Sequence, residues 1–215
     1  MADFTVVGTY APHFTRPLDA VGADLESYAQ LLRKWQAVQN LVSRETLNEV
    51  WSRHFADSLQ LLPLLRDGDA HFMDLGSGGG FPALPLAIAL KGGPQRFVLV
   101  EPNGRKVSFL RTVARELGLA VTVLARRSDE IDSRETPVPD VMTSRALAAM
   151  PLLCAWMEPF FASKTRALLH KGREYVEELA ESGAHWHHDV VMVPSDTDPS
   201  GVILEITNLR RISAR

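Results

Sequence analysis

The sequence has little cysteine, no long apolar run and no excess of basic residues. Cys154 is the only cysteine among 215 residues, which excludes an internal disulfide and a cysteine-rich metal site. No stretch approaches the roughly 18 consecutive apolar residues that a membrane-spanning helix needs. Residues 1–17 do not resemble a signal peptide and are interpreted as a loose lead-in. Together these absences predict a cytoplasmic protein.

The formal net charge of −3 argues mildly against a nucleic-acid-binding protein, because such proteins are usually basic. A local basic cluster can still bind phosphate within an acidic chain, although any single cluster is more often a solvated helix face. The clusters are Arg105, Lys106, Arg111 and Arg115; Arg126 and Arg127; and Arg210, Arg211 and Arg215.

Two regions differ in their hydrophobic pattern. Residues 1–67 show only helical spacing and are predicted to be an N-terminal tail and a helical cap. Residues 68–215 alternate strand-like and helical runs, which indicates crossover connections and a parallel sheet. The helical spacing is carried by Leu25, Tyr28, Leu32 and Trp35, and then by Trp51, Phe55, Leu59 and Leu62.

The second region predicts seven strands with helices between the early ones. The last two strands are joined by a polar segment too short for a helix, so they should pair as an antiparallel hairpin. The fold class is therefore α/β: a Rossmann-like, seven-stranded, mostly parallel sheet with an antiparallel C-terminal hairpin. The predicted strands are Phe72 to Leu75, Phe97 to Val100, Val121 to Leu124, Asp140 to Thr143, Ala167 to His170, Val190 to Val193 and Val202 to Ile206; the predicted helices are Leu84 to Leu90, Lys106 to Leu117 and one around Leu147 to Phe160.

A glycine-rich loop follows the first strand and carries the chemistry. It reads Asp-Leu-Gly-Ser-Gly-Gly-Gly-Phe-Pro from Asp74 to Pro82. Phe81 stands where a dinucleotide-binding loop needs its third glycine, and no Lys-Ser or Lys-Thr pair follows, so a P-loop is also excluded. Asp74, two residues before Gly76, suits an ammonium group and would repel phosphate. S-adenosylmethionine carries an ammonium and a sulfonium but no phosphate, so it is the expected cofactor, held also by the backbone at Gly76 and Gly78.

Acidic residues follow the next two strands. Glu101 ends the second strand, where a carboxylate can accept hydrogen bonds from both ribose hydroxyls. Asp129, beside Ser128, could bind the adenine amino group. The alternative is that Asp129 and Glu130 only cap the start of a helix.

From about Leu25 onward the chain resembles the bacterial small-subunit rRNA guanine-N7 methyltransferases, the glucose-inhibited division protein B family. The Ser-Arg-Ala and late Lys-Gly motifs discriminate better than the glycine loop. The matching segments are Trp35, Asn40-Leu41, Arg53-His54, Asp57-Ser58, Asp74 to Pro82, Pro85-Leu86, Gly104-Arg105-Lys106, Phe109-Leu110, Arg127 with Asp129-Glu130, Ser144-Arg145-Ala146 and Lys171-Gly172.

The resemblance implies a class I S-adenosylmethionine-dependent methyltransferase acting on 16S rRNA, and it implies roles for individual residues. Gly76, Phe81, Ser128 and Asp129 match positions that contact the cofactor. Arg145 matches an arginine at the edge of the cofactor and active site. The basic positions implicated in activity or RNA contact are Arg127 and Lys171. The chain departs from the family at Ala83, where glycine is common, at Glu101, where aspartate is frequent, and in its final strands, which lack basic residues.

Guanine N7 has a free lone pair in the neutral base, so its methylation needs no general base, and positioning can supply much of the rate. The expected catalytic residues are therefore cations, Arg127, Arg145 and Lys171, which could hold O6 or phosphate. Cytosine C5 methylation would need a nucleophilic cysteine, but Cys154 lies in an apolar stretch and is interpreted as a buried small hydrophobe.

Several alternatives remain open from the sequence. His54 and Asp57 share a helix face and either line the RNA entrance or tie the helical cap to the sheet domain. His185, His187 and His188 have no acidic or cysteine partners typical of a metal site. A small-molecule methyltransferase, an RNA-binding assembly factor without turnover and, more distantly, an NAD-dependent oxidoreductase remain as competing functions. A monomer is expected.

Overall fold

The computed structural model describes residues 4–43 and 45–212. Seven strands form one sheet in the order β3-β2-β1-β4-β5-β7-β6. All neighbouring pairs are parallel except β5 with β7 and β7 with β6. This confirms the predicted mostly parallel sheet and its antiparallel C-terminal hairpin. The strands are β1 (His71–Leu75), β2 (Arg96–Val100), β3 (Val121–Leu124), β4 (Val141–Arg145), β5 (Arg166–Lys171), β6 (Trp186–Pro194) and β7 (Val202–Arg211).

Seven α-helices accompany the described strands. Helix α7 is not among the sequence predictions, because its nine residues carry four acidic or small polar side chains and bury only Ser182 fully. The helices are α1 (Phe4–Gly8), α2 (Leu18–Gln36), α3 (Asp57–Leu59), α4 (Ala83–Ala89), α5 (Gly104–Glu116), α6 (Met150–Met157) and α7 (Tyr175–Gly183). No helix among the described residues is long and apolar enough to cross a membrane.

Strand alternation divides the core into two layers, one on each face of the sheet. In β1, Phe72 packs into one layer and Met73 into the other; in β4, Val141 and Met142 are divided in the same way. Because successive side chains of a strand point to opposite faces, both faces of this sheet are covered. The first layer contains the N-terminal helices with α4 and α5, and the second contains α6.

The N-terminal segment is packed, so the predicted loose lead-in is wrong for its described part. Val7 in α1 is fully buried and Tyr10 is nearly so. The backbone N–H of Thr15 donates to the carbonyl of Ala89 at 3.0 Å. Residues 1–3 of this lead-in, and Arg215 of the last basic cluster, lie outside the described residues.

The helical cap shares its core with the sheet region. In α2, Tyr28 packs against Phe81 and Phe109, with ring centroids 5.4 and 6.2 Å apart. The division into residues 1–67 and 68–215 therefore stays a prediction about sequence organisation. The second helical segment differs in detail from the predicted helix, since residues Trp51–Ala56 form a π-helical turn that runs directly into α3. Such turns are rare and are often found at functional sites.

Candidate active site

The sheet topology fixes where a ligand can bind. Strands β2 and β4 lie on opposite sides of β1, so the chain order reverses there. In open α/β sheets the crevice outside the carboxyl ends of the strands, at such a reversal, is the ligand site. The glycine loop follows β1, Glu101 follows β2, and Arg145 and Lys171 end β4 and β5. Because β7 is antiparallel to β5, its first residue, Val202, pairs with Lys171 and brings the β6–β7 turn to this edge.

A cavity of about 700 Å³ occupies this edge of the sheet. Its walls come from three places: the glycine loop with the strand ends, the helical cap, and the β6–β7 turn. The sequence-predicted residues that line it are Gly76, Gly78, Phe81, Glu101, Arg145 and Lys171. The cavity is large enough for a drug-sized ligand and has room beyond it.

The glycine loop needs its glycines. Gly76 and Gly78 have φ values of 67° and 56°, a region that side chains with a Cβ rarely adopt. A Cβ on Gly76 would also stand 2.8 Å from Cδ2 of Leu147, so the loop after β4 closes tightly over it. From the other side, the Tyr28 hydroxyl donates a hydrogen bond to the carbonyl of Gly79. The cap thus holds the loop in place, a contact that only the helical spacing of Tyr28 could hint at in the sequence.

Asp74 lies behind the loop, buried to 1% exposure, and does not itself line the cavity. Its Oδ1 accepts a hydrogen bond of 2.6 Å from the Thr143 hydroxyl. Its Oδ2 is buried and has no hydrogen-bond partner among the described residues. Burial raises the pKa of this carboxyl to about 7, although the nearby Ser77 hydroxyl, which donates to the Asp74 backbone carbonyl at 3.2 Å, and the hydrogen bond from Thr143 oppose the shift. A buried carboxylate oxygen without a donor is costly, so Asp74 lacks a partner that a bound cation could supply.

Glu101 joins the glycine loop to the following helix. Its Oε2 accepts from the backbone N–H of Gly78 at 2.8 Å, and its Oε1 from that of Asn103 at 2.9 Å. Each carboxylate oxygen has a second lone pair, so both can accept a further hydrogen bond from a ligand hydroxyl. The carboxylate is 5% exposed and lines the cavity.

Arg145 is held by the helical cap. One terminal nitrogen, Nη1, donates to Oδ2 of Asp57 at 2.9 Å and to the carbonyl of Arg53 at 3.3 Å; the other, Nη2, lies 2.9 Å from Nδ1 of His54. The guanidinium also lies over the Phe81 ring, 5.0 Å from its centroid. An arginine has five N–H donors, so this arrangement fixes the group while leaving donors for a ligand.

His54 and Asp57 tie the cap to β4, as one of the two interpretations expects; they also line the cavity, and their place at an RNA entrance stays a prediction. Burial, followed by the charge of Arg145, lowers the pKa of His54 to about 3, so its imidazole is neutral. Because Arg145 can only donate, His54 Nδ1 is the acceptor, and Nε2–H then donates to the Thr46 hydroxyl at 2.9 Å.

Asp57 and His170 line the cavity next to Arg145 and His54. Burial raises the pKa of Asp57, but the charge of Arg145 and the hydrogen bonds from Thr197 and Arg145 hold it below its ordinary value. Burial lowers the pKa of His170, so that ring is neutral and Arg145 is the charged partner of Asp57 near neutral pH. The His170 Nε2 lies 2.8 Å from the Asp57 carbonyl.

Lys171 lines the cavity, but its ammonium is engaged elsewhere. It donates to Oε2 of Glu178 at 2.6 Å and to the carbonyl of Ala148 at 2.8 Å, and its side chain is only 8% exposed. The same Glu178 oxygen accepts from the backbone N–H of Met150. These contacts hold the loop between β4 and α6, the loop that places Leu147 against Gly76.

The residues predicted after β3 do not line the cavity. Arg127 and Asp129 are exposed and pair with each other, with Nε to Oδ1 at 3.0 Å and Nη2 to Oδ2 at 3.2 Å. Ser128 and Asp129 begin a short 3₁₀ helix, Ser128–Glu130, where Glu130 accepts from the backbone N–H of Arg127 at 3.3 Å. This geometry agrees with the capping interpretation of the acidic pair, and the cofactor role of Ser128 and Asp129 stays a prediction.

Two cations in the cavity are absent from the predicted site. Arg53 and Lys106 both line it, and among the described residues neither side chain has a hydrogen-bond or ion-pair partner. Both fall in segments that carry the family resemblance, and Lys106 also belongs to one of the basic clusters of the sequence. The β6–β7 turn adds Thr197, whose hydroxyl donates to Oδ1 of Asp57 at 2.7 Å.

The structure also describes the surroundings of Cys154 and of the histidine segment. Cys154 is fully buried, burial raises the pKa of its thiol, and its Sγ lies 3.5 Å from the Ser182 hydroxyl, so the interpretation as a core residue is confirmed. Within residues 4–43 and 45–212, no three His, Cys, Asp or Glu side chains are grouped to hold a metal ion. In the histidine segment, Nε2 of His188 lies 2.8 Å from the Ser182 hydroxyl.

Comparison with known proteins agrees with this geometry. A sequence model of the family described as "GidB: rRNA small subunit methyltransferase G" matches residues 22–199. The Ribosomal RNA small subunit methyltransferase G of Bartonella tribocorum is 42% identical over 188 residues, 87% of each chain. That of Cereibacter sphaeroides is 43% identical over 190 residues, 87% of this chain and 90% of the relative.

A solved structure supports the fold independently of close sequence similarity. A SAM-dependent methyltransferase from Aquifex aeolicus aligns with a TM-score of 0.56 at 13% identity, over 81% of this chain and 97% of that one. The chain therefore belongs to the rRNA small subunit methyltransferase G family and has the fold of the S-adenosylmethionine-dependent methyltransferases.

Proposed function

We propose that this protein transfers the methyl group of S-adenosylmethionine to N7 of a guanine in small-subunit (16S) rRNA, giving 7-methylguanosine. The observation that carries the proposal is one cavity at the strand-order reversal, with a buried unpartnered carboxylate behind its glycine loop and a fixed arginine on its wall. The proposed partner is the small ribosomal subunit, the proposed location is the cytoplasm, and a monomer is the expected active form.

The chain's own residues fit the cofactor. The unpartnered Oδ2 of Asp74 is an acceptor for the ammonium group, and the left-handed backbone at Gly76 and Gly78 leaves space where side chains would stand. The second lone pairs of Glu101 remain for ribose hydroxyls. Ser128 and Asp129 are proposed for the adenine end. When bound, S-adenosylmethionine supplies an electrophilic methyl group on its sulfonium.

The cavity suits a nucleophile that needs no deprotonation. Neutral guanine already has a lone pair on N7. Asp57 is ionised but tied to Arg145 and Thr197, and His54 has both ring nitrogens engaged, so neither is a ready general base. His170 is neutral and its pKa is lowered by burial, which makes it a weak base. These described residues therefore fit positioning catalysis.

The proposed role of Arg145 is to orient the base through O6 or an adjacent phosphate. Its guanidinium is already fixed by Asp57 and His54, so it loses little conformational freedom when the nucleotide binds. A pre-oriented donor of this kind stabilises a transition state because no reorganisation is needed during the reaction. Arg53 and Lys106 are proposed to contact phosphates, while Lys171 is proposed to act through the loop that it holds. The direct catalytic role first expected for Arg127 is not supported by its position outside the cavity.

The test is to incubate the protein with tritiated S-adenosylmethionine and small ribosomal subunits that lack the modification, then identify the labelled nucleoside. We expect label in 7-methylguanosine, reduced about a hundredfold by Arg145→Ala, in line with the loss of one pre-oriented donor. Arg115→Ala is the matched control, because Arg115 lies at the exposed far end of α5, 4.0 Å from Glu116. Cofactor binding without rRNA labelling would contradict the proposal and favour a small-molecule acceptor.

A further inference from the structure

A second, polar groove opens beside the reaction cavity. It has a volume of about 430 Å³ and lies between the end of α2 and the start of α5. Its lining contains the amide side chains of Gln39, Asn40 and Asn103 and the cations Arg105 and Lys106, with no carboxylate. Lys106 also lines the reaction cavity, so the two spaces meet at this residue.

The two cations of the groove are not used to stabilise the fold. Among the described residues, neither Arg105 nor Lys106 donates a side-chain hydrogen bond or forms an ion pair. Their backbone N–H groups are held by Oδ1 of Asn103, at 3.0 and 3.2 Å, so the helix start is fixed while the side chains stay free. Further along α5, in contrast, Arg111 donates to the carbonyl of Val123 at 3.1 Å.

The lining matches the chemistry of a nucleic-acid strand. Free cations bind phosphates, and amide side chains can both donate to and accept from ribose hydroxyls and base edges. A guanine within rRNA is joined to neighbours on both sides, so the strand must leave the reaction cavity through an adjoining surface. A carboxylate-free groove that shares a lysine with the cavity provides such a path, even in a chain whose net charge is −3.

We propose that this groove binds the single-stranded RNA segment adjoining the target guanine, with Arg105 and Lys106 contacting its phosphates. The inference rests on the proposed function and extends it, because it assigns the path of the substrate outside the reaction cavity. Single-stranded RNA binding of this kind depends on salt, and each lost phosphate contact lowers the slope of log K against log salt by about 0.7.

The first test uses Arg105→Gln, since Arg105 lines the groove and not the reaction cavity. We expect the KM for small subunits to rise roughly fivefold with kcat nearly unchanged, and the salt slope to fall by about 0.7. Arg210→Gln is the control. Arg210 is exposed near the carboxyl end of β7, and because β7 is antiparallel to β5, this end lies beside the amino ends of the parallel strands, away from the cavity. An equal KM and salt slope for the variant and wild type would overturn the proposal.

The second test maps the strand directly. Val38 lines the groove and is 74% exposed, whereas the native Cys154 is fully buried, so Val38→Cys creates one accessible thiol for a maleimide photocrosslinker. Val191→Cys, at a 58% exposed position, is the matched control, because β6 is the outermost strand on the side of the sheet away from β3. We expect the Val38 variant alone to crosslink rRNA within a few nucleotides of the methylated guanine, or to lose methylation once it is labelled.

The outcomes separate the two proposals. If the labelled Val38 variant methylates normally and crosslinks ribosomal protein, distant rRNA or nothing, the groove does not hold the adjoining strand. If wild-type protein methylates no rRNA at all, the proposed function fails, and the groove proposal that rests on it is overturned with it.

Discussion

The buried carboxyl of Asp74 gives the sharpest test of the cofactor site. With Oδ1 hydrogen-bonded to Thr143 and Oδ2 without a partner, the ionised side chain is costly in the free protein and is stabilised when a cation binds. Asp74→Asn keeps the shape and the oxygen that accepts from Thr143 but removes the charge. We therefore expect opposite effects on the two properties that the charge controls: weaker binding of S-adenosylmethionine and greater stability of the free protein at alkaline pH.

The magnitude follows from the pKa of Asp74, raised by burial from 3.8 to about 7. Between pH 3.8 and about pH 7, the Asp74 carboxyl is protonated in the folded state and ionised in the unfolded state. The stability that comes from this proton is therefore fully present below pH 3.8 and is lost as the pH rises through about 7. From pH 5 to pH 8 the loss amounts to about 3 kcal/mol for the wild-type protein, and Asp74→Asn should lack it. Removing the charged partner of the ammonium should weaken cofactor binding roughly tenfold to a hundredfold at pH 8.

The assay is denaturant unfolding of both proteins at pH 5 and pH 8 without cofactor, together with calorimetric titration of S-adenosylmethionine at pH 8. Because the two proteins share every other titratable group, the difference between their pH dependences isolates Asp74. The reasoning is refuted if both proteins lose the same stability between the two pH values, or if the variant binds the cofactor as tightly as the wild type at pH 8.

Three further changes test the neighbouring contacts. Gly76→Ala should weaken cofactor binding roughly tenfold in calorimetric titration, because its methyl would push the Leu147 side chain out of its contact and strain a backbone φ of 67°, whereas Gly118→Ala, with a similar φ of 60° and open space around it, should leave binding unchanged and cost about 1 kcal/mol of stability in denaturant unfolding. Asp57→Asn should lower kcat about tenfold with little change in cofactor affinity, because it loosens the arginine at the end of β4; unchanged kcat in steady-state assays would contradict this. Lys171→Met and Glu178→Gln should lower kcat/KM to a similar extent if their ion pair acts by holding the loop after β4, whereas an effect of the lysine change alone would mean direct contact with RNA.

The sheet could be predicted from the sequence because strand-forming residues, turn residues and glycines determine the local backbone conformation through their near neighbours in the chain. The glycine loop, the acidic end of β2 and the arginine at the end of β4 could be assigned to one edge, since parallel strands place their carboxyl ends together. Helix α7 was missed because it is only nine residues long and buries only Ser182 fully, so few positions mark its helical period. The packed lead-in was missed because Val7 and Tyr10 are buried only by residues distant in the chain.

Site residues were harder to predict because a cation's role depends on which partners already occupy it. The sequence treats Arg127, Arg145 and Lys171 alike as basic residues near strand ends. In the structure they differ. Arg127 forms an ion pair with Asp129 outside the cavity, whereas Lys171 forms an ion pair with Glu178 beneath the loop after β4. Arg145 and Lys171 both hold fixed positions on the cavity wall, but of the two only Arg145 is held by residues of the helical cap.

The partners of Arg145 also show that the helical cap is part of the cavity's structure. His54 and Asp57 come from the π-helical turn and α3, and they hold an arginine that belongs to the sheet. The Tyr28 hydroxyl, from α2, holds the glycine loop in the same way. Because the cap contacts both the glycine loop and the arginine at the end of β4, we expect its removal to disturb the cavity, and changes deep in the cap should alter kcat without any direct contact with substrate.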